Sequence, residues 1–236
     1  MNVLALVLSW IDLTRLAILG LTLFLGWMTY HSHLLLREFQ PSFNLLLSPA
    51  ETVGRILLVG LCLFLVWLSG LPATQLGLLV SAPVRTIAVG LGIGLVTVVL
   101  INWLTRWSIN RFGRHIYSPL LIQNILPRRP LEWPLVAIAF LPAVAMEELL
   151  FRTLWIGCFG ELMPLALLIL GTSIIFGVMH QPQGKLGMLL AGAINILFSV
   201  LFVWSGQLLL PLTAHYAVNV AQLIVAHYQR HWLESY

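Results

Sequence analysis

The apolar stretch LVAIAFLPAVAMEELLFRTLWIGC, at residues 135–158, decides the fold class. It is long enough to cross the hydrocarbon layer of a bilayer, which takes about 20 residues of helix. Its interior nevertheless contains Glu147, Glu148 and Arg152. A charged group near the centre of a spanning helix costs about 3 kcal/mol even on permissive scales, so charges at such positions indicate function. The stretch therefore predicts a transmembrane helix that takes part in chemistry.

The rest of the chain has the same apolar character. Of its 236 residues, 60% are hydrophobic and only 8% are charged, too few to cover the surface of a soluble protein. We therefore predict an all-α, polytopic transmembrane helix bundle that forms a single integral membrane domain over residues 1–236. About seven spans are expected, within a range of six to eight. Besides 135–158, the predicted spans are 16–30, 56–69, 84–104, 163–180, 186–204 and 207–228.

The positive net charge reflects the orientation of the chain in the membrane. The net charge is +4, but most of the arginines fall between the predicted spans, so nucleic acid is not an expected partner and membrane lipids are. An arginine-rich loop after residue 104 and four other basic residues, nine of the twelve in all, fall on one side of the predicted bundle. Arg15 and Arg85 fall on the other side. The positive-inside rule therefore predicts a cytoplasmic C-terminus and an N-terminus outside.

The two adjacent glutamates are expected to play different roles. Glu148 and Arg152 are four residues apart, the spacing of a helical ion pair. Glu147 lies about 100° around the helix from Glu148 and is the candidate chemical group. Glu148 and Arg152 would support it. The alternative is a buried charge triad that only ties helices together.

Two further pairs of residues lie four apart in later spans. Phe176 and His180 share one face of the predicted span 163–180, and His215 and Asn219 share a face of the span 207–228. Each pair has a structural alternative. His180 alone fits an interfacial ring at a helix end. His215 and Asn219 alone fit a hydrogen bond between two helices.

Together, these side chains make a hydrolytic set. Glu147 with His180 can activate a water molecule, and His215 with Asn219 can donate to the oxyanion that forms on an attacked carbonyl. Glu147, His180 and His215 would equally suit a divalent metal such as zinc. The residues leave the metal-dependent and metal-free versions open.

The three motifs resemble those of a known family. Glu147 to Arg152 reads E-E-x-x-x-R, Phe176 to His180 reads F-x-x-x-H, and His215 to Asn219 reads H-x-x-x-N, all within a core at 135–228. The pattern resembles the CPBP (Abi) family, which includes proteins similar to the type II CAAX prenyl endopeptidase and to bacteriocin-processing and immunity proteins. The resemblance implies the roles given above. It also implies a peptide or membrane-tethered protein substrate, a prokaryotic plasma membrane, and an active site that opens toward the cytoplasm.

The leading prediction is an intramembrane endopeptidase. A proton-coupled carrier is a second hypothesis, because intramembrane Glu, His and Arg also form proton relays. A non-catalytic immunity or scaffold protein on the same fold is a third.

Overall fold

The computed structural model describes residues 3–39 and 41–231, with side chains from residue 10 onward. The regular elements in this part of the chain are all helical, which confirms the predicted fold class. The predicted single domain also includes positions 1–2, 40 and 232–236, which lie outside the described residues. The helices are α1 (Val3–Glu38), α2 (Pro49–Ser69), α3 (Pro83–Phe112), α4 (Leu120–Ile125), α5 (Glu132–Glu148), α6 (Gly157–Phe159), α7 (Leu165–Met179), α8 (Gly184–Ser205) and α9 (Leu209–Tyr228).

Six stretches of helix in the described residues are long and apolar enough to cross a membrane. Large apolar side chains cover their outer surface: Trp67 is 74% exposed and Val99 is 69% exposed. Such a surface is stable only against lipid. The protein is therefore an integral membrane protein. The six stretches are Trp10–Glu38, Pro49–Ser69, Pro83–Phe112, Glu132–Phe159, Gln181–Ser205 and Leu209–Tyr228.

The remaining predicted span, α7, is short. It has 15 residues and so extends only about 22 Å, less than the roughly 30 Å of a bilayer core. From the sequence alone, Glu147 would lie about 18 Å along its helix from Leu135, at the cytoplasmic end of the predicted span. His180 would lie at the cytoplasmic surface of the membrane. α7 ends at Met179, one residue before the predicted boundary, and His180, directly after it, lies beside the same cavity as Glu147.

The polar loops gather at the two ends of the bundle. At one end, Asn44 Nδ2 donates to the Ile125 carbonyl at 2.8 Å, and the Ser118 amide donates to the Gln183 carbonyl at 3.0 Å. We call this the basic end, because nine of the twelve basic residues belong to its loops and to the helix ends beside them. They are Arg37, Arg55, Arg106, Arg111, Arg114, Arg128, Arg129, Lys185 and Arg230. At the other end, the Leu208 amide donates to the Gly77 carbonyl at 2.7 Å.

Close packing of small residues holds α9 against α3. A Cβ on Gly94 would lie 2.5 Å from the Ala214 carbonyl oxygen, and a Cβ on Gly90 would lie 1.9 Å from Thr213 Oγ1. The two glycines form a G-x-x-x-G pattern, which lets membrane helices approach closely. Since His215 follows Ala214 directly, this contact fixes the position of His215 along the bundle axis.

Glycines also bring α7 and α8 together. A Cβ on Gly177 would lie 2.7 Å from the Met188 carbonyl oxygen, and a Cβ on Gly192 would lie 3.0 Å from the Ser173 carbonyl oxygen. This close approach places the C-terminal end of α7 against the bundle core.

Candidate active site

The paired glutamates lie where α5 changes its helical geometry. Glu148 is the last residue of α5, and a π-helical stretch, Leu149–Ile156, continues the same rod into α6. All eight side chains of this stretch are buried, so helices surround the rod on every side. Wider π-helical turns are rare and occur often at functional sites. The sequence pattern gave no sign of this change.

The ion pair expected between Glu148 and Arg152 is present at the centre of the bundle. Arg152 Nη1 lies 3.1 Å from Glu148 Oε1, and neither side chain has any solvent exposure. The guanidinium is flanked by the rings of Phe176 and Phe198, whose centroids are 5.9 Å and 5.6 Å away. Its Nη2 donates to the Asn195 carbonyl at 3.4 Å. The arginine is therefore held by one carboxylate, two aromatic faces and one carbonyl.

His215 connects the two glutamates. Its Nδ1 lies 2.7 Å from Glu148 Oε1, and its Nε2 lies 3.6 Å from Glu147 Oε2. Glu148 is ion-paired with Arg152, so its carboxylate is the acceptor and His215 Nδ1–H is the donor. Nε2 then faces Glu147.

His180 is fixed by the end of α7. The last carbonyls of a helix have no partner within the helix. His180 Nδ1–H donates to one of them, the Phe176 carbonyl, at 2.8 Å. The centroids of the His180 and Phe176 rings lie 4.4 Å apart. The F-x-x-x-H spacing is thus a local capping arrangement. It leaves His180 Nε2 with a lone pair.

A branched cavity opens beside these residues. One branch, of about 340 Å³, is bounded by α3, α8 and α9, and we call it the α9 branch. The other, of about 300 Å³, is bounded by α1, α2 and α7, and we call it the α1 branch. Glu147 and His180 line both branches, whereas His215 and Asn219 line only the α9 branch. Four of the six predicted site residues therefore share one cavity, and Glu148 and Arg152 lie behind it.

A larger pocket lies elsewhere. Its volume is about 480 Å³, and its wall includes Ser42, Asn44, Arg128 and Glu132 at the basic end. None of the predicted site residues lines it. The chemical groups of the site line the branched cavity, although each of its branches has a smaller volume.

Sequence reasoning missed several polar residues around the site. Gln222 lines the α9 branch, and its buried Oε1 has no hydrogen-bond partner within the described part of the chain. It lies three residues after Asn219 and shares its helix face, a spacing that would have identified it. Asn195, buried in α8, donates to Ser173 Oγ at 2.9 Å. Asn195 was the one amide within an otherwise apolar run.

The side chains do not assemble the tentative metal set. Among the described residues, no three His, Cys, Asp or Glu side chains are arranged to hold a metal ion. His180 Nδ1 is bound to the Phe176 carbonyl and His215 Nδ1 to Glu148, which leaves Nε2 as the nitrogen with which each ring would hold a metal. The metal set of Glu147, His180 and His215 stays a prediction, and the chemistry below is derived from the side chains alone.

Comparison with known proteins identifies a family that part of the chain resembles. Residues 129–221 match the family model described as "Type II CAAX prenyl endopeptidase Rce1-like". The matched segment contains all three motifs and confirms the resemblance stated from the sequence. No curated protein and no solved structure matches the chain. The match supports a protease of the CAAX type, a hydrolase, within an integral membrane protein.

Proposed function

We propose, on the basis of the Rce1-like segment at 129–221, that this protein is an intramembrane endopeptidase that cleaves a peptide bond in a membrane-associated or C-terminal peptide. One observation carries the proposal: His215 bridges Glu148 and Glu147, at 2.7 Å and 3.6 Å, in the wall of a cavity that His180 also lines. A base, two imidazoles and a buried supporting carboxylate are the groups that peptide hydrolysis needs.

The reaction follows from these positions. Glu147 takes a proton from a water molecule that His180 Nε2 orients as a hydrogen-bond acceptor. The hydroxide attacks the substrate carbonyl, whose oxygen becomes negatively charged. His215 Nε2–H and the Asn219 amide donate to this oxyanion. Glu147 then returns its proton to the departing amine nitrogen as the C–N bond breaks.

Glu148 and Arg152 have a supporting role in this proposal. His215 acts as an imidazolium in this proposal: Glu148 accepts from Nδ1–H, and Nε2 carries the second proton, which it donates to the oxyanion. Arg152 neutralises Glu148, so the carboxylate can stay charged without contact with water. Neither residue lines the cavity.

The location of the site follows the charge distribution. The cavity reaches Gln183 and Tyr117, which belong to the loops of the basic end. The positive-inside rule favours a cytoplasmic location for this end, and the family resemblance favours a prokaryotic plasma membrane. We therefore propose that a peptide or membrane-tethered protein enters from the cytoplasmic side of the plasma membrane.

The test is cleavage by the purified protein in liposomes. The probes are a prenylated CAAX peptide, the same peptide without the prenyl group, and an unlipidated peptide mixture, with products read by mass spectrometry. Glu147→Gln should lower the rate by about 10²- to 10⁴-fold, the contribution of a general base. Glu38→Gln, at an exposed position, is the matched control and should cleave like the wild type.

Two outcomes would contradict the proposal. Cleavage that survives Glu147→Gln would remove the base from the mechanism. Glu147-dependent solute uptake into the same liposomes, with no peptide cleaved, would favour a proton-coupled carrier.

A further inference from the structure

Arg55 brings a positive charge to the active-site cavity from outside the matched segment. It lies in the first part of α2 and lines both branches together with Glu147 and His180. Of the described residues that line the two branches, Arg55 is the only Lys or Arg. An anionic group that enters this cavity therefore has one cationic partner in its wall.

The guanidinium of Arg55 is only partly satisfied. Its Nη2 donates to Glu51 Oε2 at 3.1 Å, one helical turn earlier. Its Nη1 is buried and has no hydrogen-bond partner among the described residues. A guanidinium has five N–H donors in a planar fork, and a buried donor without a partner is costly. The side chain thus has an unused donor beside the cavity.

We infer that Arg55 binds a carboxylate of the peptide substrate, either the terminal carboxylate or an acidic side chain. The inference rests on the proposed endopeptidase function. A planar carboxylate matches the guanidinium fork in two parallel hydrogen bonds. A lipid phosphate also matches the guanidinium fork, and the lipid composition of the liposomes distinguishes it from a peptide carboxylate in the experiment below.

The contact would determine which bond is cut. An extended peptide advances about 3.3–3.6 Å per residue, so an anchored carboxylate sets which carbonyl lies beside Glu147. Arg55 would then be a specificity-determining residue in α2, whereas the groups that break the bond belong to α5, α7 and α9.

The experiment compares peptides that differ only in charge. One lipidated peptide is made as the free acid, as the C-terminal amide, and with its acidic side chains replaced by amides. Wild type should cleave the preferred acid about 10- to 100-fold better, in kcat/KM, than the matching amide. Arg55→Gln should remove this preference, and Arg55→Lys, which lacks the fork, should retain part of it. Arg111→Gln removes an exposed charge at the same end and should keep the full preference.

Binding separates this inference from the proposed function. The same peptides are bound to Glu147→Gln protein in zwitterionic liposomes, with and without Arg55→Gln, and followed by fluorescence. A preference for the acid that depends on Arg55 supports the inference even where no peptide is cleaved. An equal affinity for acid and amide would overturn it. So would a preference that survives Arg55→Gln, or an Arg55 effect that appears only with anionic lipid in the liposomes.

Discussion

The buried pair of Glu148 and Arg152 gives a quantitative prediction for Glu148→Gln. Both side chains are fully buried and lie 3.1 Å apart, so this change leaves the arginine charge without its nearest carboxylate. Removing one partner of a buried pair costs about 3–5 kcal/mol. The glutamine oxygen can still accept one hydrogen bond, so we expect a loss of unfolding free energy near the lower limit, about 3 kcal/mol. This is a large part of the stability of a typical domain.

The matched control is Glu51→Gln. Glu51 and Arg55 have the same spacing and the same 3.1 Å separation, but the Glu51 side chain is 48% exposed. Its loss should cost less than about 1 kcal/mol. Thermal and denaturant unfolding of the protein in detergent micelles measures both variants.

A double variant separates stability from catalysis. Glu148→Gln with Arg152→Met removes both charges and should be more stable than Glu148→Gln alone, with a coupling of about 2 kcal/mol. Its cleavage rate should remain about 10- to 100-fold low, because His215 Nδ1 still lacks its carboxylate. Wild-type stability of Glu148→Gln, or a double variant as unstable as the summed single changes, would refute the reasoning.

Gly94→Leu should lower the unfolding free energy by about 1–3 kcal/mol, because its Cβ would lie 2.5 Å from the Ala214 carbonyl oxygen. Gly92→Leu, where a Cβ meets nothing within 4 Å, should unfold like the wild type. We expect Gln222→Leu to raise KM by about 2- to 10-fold with little change in kcat, because it removes an unpartnered acceptor in the α9 branch that a bound peptide would use. The side-chain mechanism predicts that prolonged dialysis against a chelator leaves the cleavage rate unchanged. Loss of activity that zinc restores would instead support the metal set.

The sequence was informative where a helical spacing alone brings residues together. Glu148 with Arg152, and Phe176 with His180, interact across a single turn, so their spacing is enough to predict contact. The presence of charges within an apolar span also identified the right part of the chain. Both signals are local and need no knowledge of how the helices cross.

Contacts between helices were beyond this kind of reasoning. His215 and Asn219 share a face of α9, so their spacing predicts that they act together. The structure places His215 between Glu147 and Glu148, which depends on where α9 crosses α5. The position of α9 is set in turn by its close contact with α3, where a Cβ on Gly94 would lie 2.5 Å from the Ala214 carbonyl oxygen, a packing detail that periodicity does not encode.

The residues proposed to cut the peptide and those that a substrate would pass first lie in different parts of the cavity wall. The residues proposed to break the bond lie within 129–221, the segment that matches the family. The α1 branch instead has Leu25 and Met28 from α1, with Arg55 and Leu58 from α2, on its wall. A substrate that reaches Glu147 through this branch must pass these side chains first. Substitutions in α1 and α2 should therefore change which peptides are cut, and substitutions of Glu147 in α5 or His215 in α9 should change how fast any peptide is cut.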